Sequence, residues 1–182
     1  MKVFEPLLHH HVQELYSLEA QTLDILPRMI DGVSDPGLAE ALRERHKHAG
    51  ARKCQLTNIA TELDITPAGV RGRWVSAFFD RAIIGLYSPV SPGVANAAVV
   101  TACQQVTHYG IVGYDRARSY ALRLGEVDVA RRLEELRGDL EEVDDQLCWI
   151  ADGHLTADAR AGRAPGQSGV GTTCTAFAPT RS

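Results

Sequence analysis

The sequence lacks most of the marks that announce a particular chemistry. Its four cysteines, Cys54, Cys103, Cys148 and Cys174, form no CxxC pair. That argues against a zinc site or a disulfide scaffold and points to a reducing cytoplasm. Positive charge is not in excess: 19 Lys and Arg stand against 23 Asp and Glu, a net charge of −4. No nucleic-acid footprint is therefore expected. The opening residues, MKVFEPLLHHHVQEL, hold no long apolar run and no small-residue cleavage site, so no signal peptide is expected. The apolar stretch from Val94 to Val112 is interrupted by Asn96, Gln104, Gln105 and His108. It reads as a buried helix, not a membrane span. No Ser/His/Asp constellation stands out, and the Gly-rich run Gly166 to Gly171 precedes no helix, which weakens any phosphate-loop reading. Strand-like alternation is absent too.

What is present is helical periodicity in a chain of 182 residues, enough for one domain with a full core. The stretch Val12 to Ile30 carries two adjacent apolar stripes. One runs Leu8, Leu15, Leu18, Thr22, Ile25, Met29; the other runs Val12, Tyr16, Glu19, Leu23, Leu26, Ile30. Two stripes make a wide apolar face, so this helix is mostly buried. Glu19 lies in the middle of the second stripe, where an unpaired carboxylate would cost several kcal/mol. It therefore needs a partner: a metal, an arginine, or water at a helix edge.

The chain as a whole reads as five helices. The first is predicted from about Glu5 to Asp31, with Pro27 inside it and Gly32 as the residue that ends it. Asp35-Pro36 then gives an N-cap and a first helical residue. The second helix, to about Leu63, has the seam Leu38, Leu42, Arg45, Ala49, Arg52, Leu56, Ile59, Leu63. A bundle seam is normally apolar throughout. Either the helix rotates and both arginines snorkel to water, or they enter the core. Residues 64–92 form a long connection with a short amphipathic helix from Arg73 to Leu86. Its aromatics Trp74, Phe78 and Phe79 cover the bundle's own core, make an oligomer contact, or do both.

The next helix runs from about Pro92 to Leu124, with the small residues Gly110, Gly113, Ala117 and Ala121 allowing a close neighbour. Gly125 ends it, and Asp128 is the expected N-cap of the last. That helix, from about Val129 to Ala151, has a clean seam: Val129, Leu133, Leu136, Leu140, Val143, Leu147, Ile150. Residues 1–155 therefore read as an all-α, ferritin-like four-helix bundle of two helical hairpins joined by a long crossover with a short fifth helix. Residues 156–182, rich in Gly, Ala and Thr, read as an extended or flexible tail able to reach a protein partner.

Particular residues add a resemblance. Glu14-Leu15-Tyr16-Ser17-Leu18-Glu19-Ala20-Gln21 followed by Leu26-Pro27-Arg28-Met29 resembles the opening helix of the YciE/YciF-like family of bacterial ferritin-like proteins. Gln105 to Tyr109, Tyr114, Ala117, Leu124-Gly125, Leu133-Glu134 and Asp144 match in order, so the likeness spans roughly residues 7–152. The resemblance implies a four-helix bundle, an oligomer, a link to bacterial stress responses and a carboxylate-rich metal site at the bundle centre.

The ligands for such a site are mostly missing. A di-iron or di-manganese bundle uses a Glu from each of two helices and a Glu-x-x-His from each of the others. This sequence contains no Glu-x-x-His. The arginines of the second helix stand where ligands disappear, and a guanidinium can satisfy a carboxylate bidentately. The expected buried polar centre is therefore Glu19, Arg45, Arg52, His108 and Asp144. In it Arg45 or Arg52 reaches Glu19, and Asp144 or Glu141 serves as a further acceptor. This favours a non-catalytic bundle without a cofactor that acts as a homodimer or higher homo-oligomer, or through a partner, away from nucleic acid and membrane. The alternative is an iron- or manganese-dependent oxidase or peroxide-handling protein with a reduced site at Glu19, His108, Glu141 and Asp144. A third reading is a small-molecule binder using the polar bundle centre.

Overall fold

The computed structural model describes residues 3–67, 73–87 and 91–161, with side chains for 3–67, 75–87 and 91–153. Five helices follow in order: α1 (Glu5–Gly32), α2 (Pro36–Glu62), α3 (Arg73–Leu86), α4 (Pro92–Leu124) and α5 (Val127–Ala161). Among the described residues there is no strand. The hairpins α1–α2 and α4–α5 pack most extensively, α1 also lies on α4, and the α2–α5 seam is sparser. The crossover helix α3 packs on α4 and α1. This is the all-α, ferritin-like bundle that the periodicity implies. No described helix is long and apolar enough to cross a membrane.

The helix ends follow from local chemistry. Asp35 accepts from the Leu38 amide at 2.6 Å and so caps α2. Ser91 caps α4 through the Val94 amide at 3.4 Å. Gly125 ends α4 at φ 86°, a left-handed conformation that suits glycine. Gly32 serves a different purpose. It stays inside α1, and a Cβ there would lie 2.9 Å from Leu86 Cδ1; the glycine is needed for close approach of α3. Two expectations shift. Asp128 lies in the first turn of α5, not ahead of it. And α5 runs on to Ala161, so the expected boundary at residue 155 falls inside a helix. Residues 162–182, most of the expected tail, lie outside the described residues.

The core divides into two apolar clusters. One gathers Leu26, Met29, Leu38, Leu42, Val99, Cys103 and Phe79. The other gathers Leu8, Leu15, Leu56, Ile59, Tyr114, Ala117 and Leu133. Between them in register on three helices sit buried polar residues: Glu19 and Thr22 on α1, Arg45 and Arg52 on α2, Thr107 on α4. The small-residue stripe of α4 faces this core. A Cβ on Gly110 would meet Leu140 Cδ2 at 2.5 Å, and one on Gly113 would meet Leu15 Cδ2 at 3.0 Å.

The crossover aromatics need one correction. Phe79 is 1% exposed and belongs to the chain's own core, with Phe78 partly buried against the same cluster. Phe79 therefore has no surface left for an oligomer contact. The Trp74 side chain lies outside the described residues.

Candidate functional site

Two arginines enter the bundle centre because α2 keeps its three-and-four seam through residues that are not apolar. Arg45 is 2% exposed and Arg52 is 1% exposed, so neither snorkels. Arg52 meets Glu19 in a bidentate pair: Nε donates to Oε1 at 2.8 Å and Nη2 donates to Oε2 at 3.1 Å. Tyr114 on α4 donates its hydroxyl to the same Oε1 at 3.1 Å. Glu19 and Tyr114 are both 0% exposed. Three helices are thus tied together at one carboxylate. Moving such charges out of water costs several kcal/mol per ion, and only good geometry with further hydrogen bonds offsets it. The bidentate fork and the phenol provide that geometry.

Arg45 takes a different partner. Its Nη1 donates to Thr107 Oγ1 at 2.5 Å, and Thr107 in turn donates to the Cys103 carbonyl at 2.8 Å. Arg45 Nε and Nη2, Arg52 Nη1 and Thr22 Oγ1 are buried with no protein partner among the described residues.

The electrostatics separate the two arginines. Burial opposes the charge on Arg52, but the Glu19 carboxylate outweighs it and holds the guanidinium above its ordinary pKa. Burial dominates at Arg45 and pushes its pKa down, against weaker support from Cys103, Glu19 and Asp144 and with Arg52 adding to the depression. Burial, reinforced by Glu19, pushes the Tyr114 phenol well above its ordinary value, with Arg52 pulling the other way. Tyr114 is therefore a neutral donor to a charged acceptor. Burial also raises Cys103, so its thiol stays protonated beside Arg45.

Other residues expected at the centre lie elsewhere. His108 and Asp144 meet each other, Nε2 to Oδ2 at 2.8 Å, but the side chains are 61% and 19% exposed. They form a pair on the α4–α5 face, outside the buried centre. Thr107, one position earlier, takes the inward place on α4, which turns His108 outward. Glu141 pairs with Arg137 one turn away on α5. Neither Asp144 nor Glu141 hydrogen-bonds to Arg45 or Arg52 among the described contacts.

The donor set does not fit a di-metal centre. Glu19 already accepts from Arg52 and Tyr114, while His108 and Asp144 pair with each other and Glu141 pairs with Arg137. Among the described residues no three His, Cys, Asp or Glu side chains group closely enough to hold a metal ion. Chemically, the centre is a closed ionic core: a carboxylate with both oxygens engaged, a guanidinium, and a phenol too weakly acidic to give up its proton. It holds helices together and offers no obvious general base.

The residue most underweighted from sequence is Tyr114. Its signal was available. It follows Gly110 by four and precedes Ala117 by three on the inward stripe of α4, and a tyrosine among small residues on a buried face must find a hydrogen-bond partner.

Comparisons with known proteins bear on the family and the fold. Protein YciF of Escherichia coli (strain K12) is 24% identical over 163 residues, which covers 87% of this chain and 96% of that protein. The crystal structure of the E. coli stress protein YciF superposes with a TM-score of 0.80 at 22% identity, over 86% of this chain and 99% of that one. YcfI of Rhodopseudomonas palustris gives a TM-score of 0.75 at 25% identity, over 80% and 92%. A ferritin-like, diiron-carboxylate protein of Bacillus anthracis gives 0.66 at 14% identity, over 83% and 99%. The structural likenesses at 22% and 14% identity are ones of fold alone. The family model described as a domain of unknown function, DUF892, matches residues 3–160: the chain belongs to this family, and its relatives are YciF-like, ferritin-like bundles.

Proposed function

We propose that this protein works as a ferritin-like bundle without a di-metal centre, acting by self-association or by binding a partner in a bacterial stress-related role. The carrying observation is the bidentate hold of Arg52 on Glu19, with Tyr114 on the same oxygen. The position at which a carboxylate-bridged metal would need its first ligand is filled by a guanidinium. A guanidinium offsets the carboxylate charge as a metal would, yet supplies no redox couple and no activated water. The stress role rests on the likeness to YciF, a stress protein of E. coli. A cytoplasmic setting suits cysteines scattered along the chain with no CxxC pair.

The test is elemental analysis of protein purified after growth with added iron and manganese, alongside sedimentation. The expected result is far less than one metal per chain and a homodimer or larger assembly. One metal per chain that disappears in Glu19→Gln would overturn the reading and restore the iron or manganese alternative.

A further inference from the structure

The α2–α5 seam opens at one end of the bundle into a groove of about 940 Å³. The α2 wall uses Gly37, Glu40, Ala41 and Glu44; the α5 wall uses Asp145, Gln146, Trp149, Ile150 and Gly153. These spacings of three and four place each set on one helix face, and the stretch from Asp145 to Gly153 rises about 12 Å, or a little over two turns. Trp149 is 80% exposed, the most exposed large hydrophobic side chain among the described residues. A tryptophan left in water at the edge of an apolar groove marks an interaction surface more often than chance exposure does.

Charge says what the occupant is. Asp35, Glu40, Glu44 and Asp145 line the groove, and no Lys or Arg does among the described residues. Glu40 pairs with Arg43 at 2.9 Å, and Glu44 lies 3.7 Å from Lys47 and 3.8 Å from His48. These are exposed pairs worth about 0–1 kcal/mol, which leaves the carboxylates available to a stronger cation. A second copy presenting the same face would set carboxylates against carboxylates, so charge disfavours it.

We propose that this groove docks a basic amphipathic helix from a partner protein. Its apolar face lies on Ala41, Trp149 and Ile150, and its Lys or Arg flanks reach Glu40, Glu44 and Asp145. This is the helix-in-groove mode, read by anchors at i, i+3, i+4 and i+7. The proposal deepens the partner-binding reading above; metal analysis tests that reading independently, so either can fail alone.

The test is isothermal titration of the full chain with three synthetic helical peptides. One has Leu at i, i+3, i+4, i+7 and Lys flanks, one replaces each Lys by Glu, and one keeps the Lys content but scrambles the Leu positions. The first should bind, and the other two at least about tenfold more weakly. Raising salt from about 0.05 to about 0.5 M should weaken the first about tenfold or more, as screening demands. Glu40→Lys with Glu44→Lys should weaken it similarly, and so should Trp149→Ala. Glu135→Lys, an exposed charge away from the groove, should leave it unchanged. All these sites are exposed, so circular dichroism should report a normal fold. The proposal is overturned if the acidic or scrambled peptide binds equally, if Glu135→Lys weakens binding as much as the groove variants do, or if no peptide binds. It is also overturned if Trp149→Ala turns an oligomer into a monomer, because a second copy then occupies the groove.

Discussion

Two paired carboxylates in this molecule have the same closest partner distance and quite different meanings. Glu19–Arg52 and His108–Asp144 each close at 2.8 Å. The first pair is 0% and 1% exposed; the histidine of the second is 61% exposed. Burial, not distance, decides what a pair contributes. Water reaches the outer pair through its exposed histidine, screens it, and would solvate the ring if Asp144 were removed. Neither buried partner has that recourse, so each depends on the other.

The sharpest way to break the contrast is to remove one member of each pair. Arg52→Met strands a buried carboxylate and should cost about 3–5 kcal/mol in urea unfolding. His108→Ala should cost under about 1 kcal/mol in the same assay. Between these limits lies Gly110→Ala, whose Cβ would press on buried Leu140 at 2.5 Å. Overpacking of that kind costs about 1–3 kcal/mol, read as a fall in the urea midpoint. Tyr114→Phe removes one hydrogen bond to an ionised group and should cost about 1.5–3 kcal/mol.

Tyr114 also gives a pH signature that sharpens the comparison. Its folded pKa lies well above the ordinary 10.0. Above pH 10 the unfolded chain loses this proton while the folded chain keeps it. The stability it contributes is therefore complete below pH 10 and falls as pH rises beyond it. Tyr109, raised to about 12 by burial and then by Glu14, adds a smaller loss over the same rise. Stability measured from pH 9 to 11 should fall less steeply in Tyr114→Phe than in the wild type. An unchanged slope would mean the phenol ionises as freely in the fold as in the coil.

Much of this molecule was legible before any coordinates. The three-and-four spacing of Leu38, Leu42, Arg45, Ala49, Arg52 and Leu56 runs through its arginines without changing face, and all six are buried. Periodicity located the buried side chains because a helix cannot turn one residue outward without turning its neighbours. It did not locate hydrogen-bond partners. His108 follows Thr107 by one residue, a rotation of about 100°, and that rotation gives the inward place to Thr107. Nor could spacing choose between Arg45 and Arg52 for Glu19. That choice depends on the relative stagger of α1 and α2, which no single helix encodes. Tyr114 went undervalued for the same reason, since its partner lies on another helix.

The central claim is that Glu19 is held by Arg52, and a double-mutant cycle tests it most directly. Glu19→Gln, Arg52→Met and the double variant should each be unfolded in urea with metal-chelating buffer present throughout. The account predicts that each single variant loses about 3–5 kcal/mol and that the double variant loses no more than either, a coupling of several kcal/mol. Losses that simply add, with no coupling between the two residues, would contradict it.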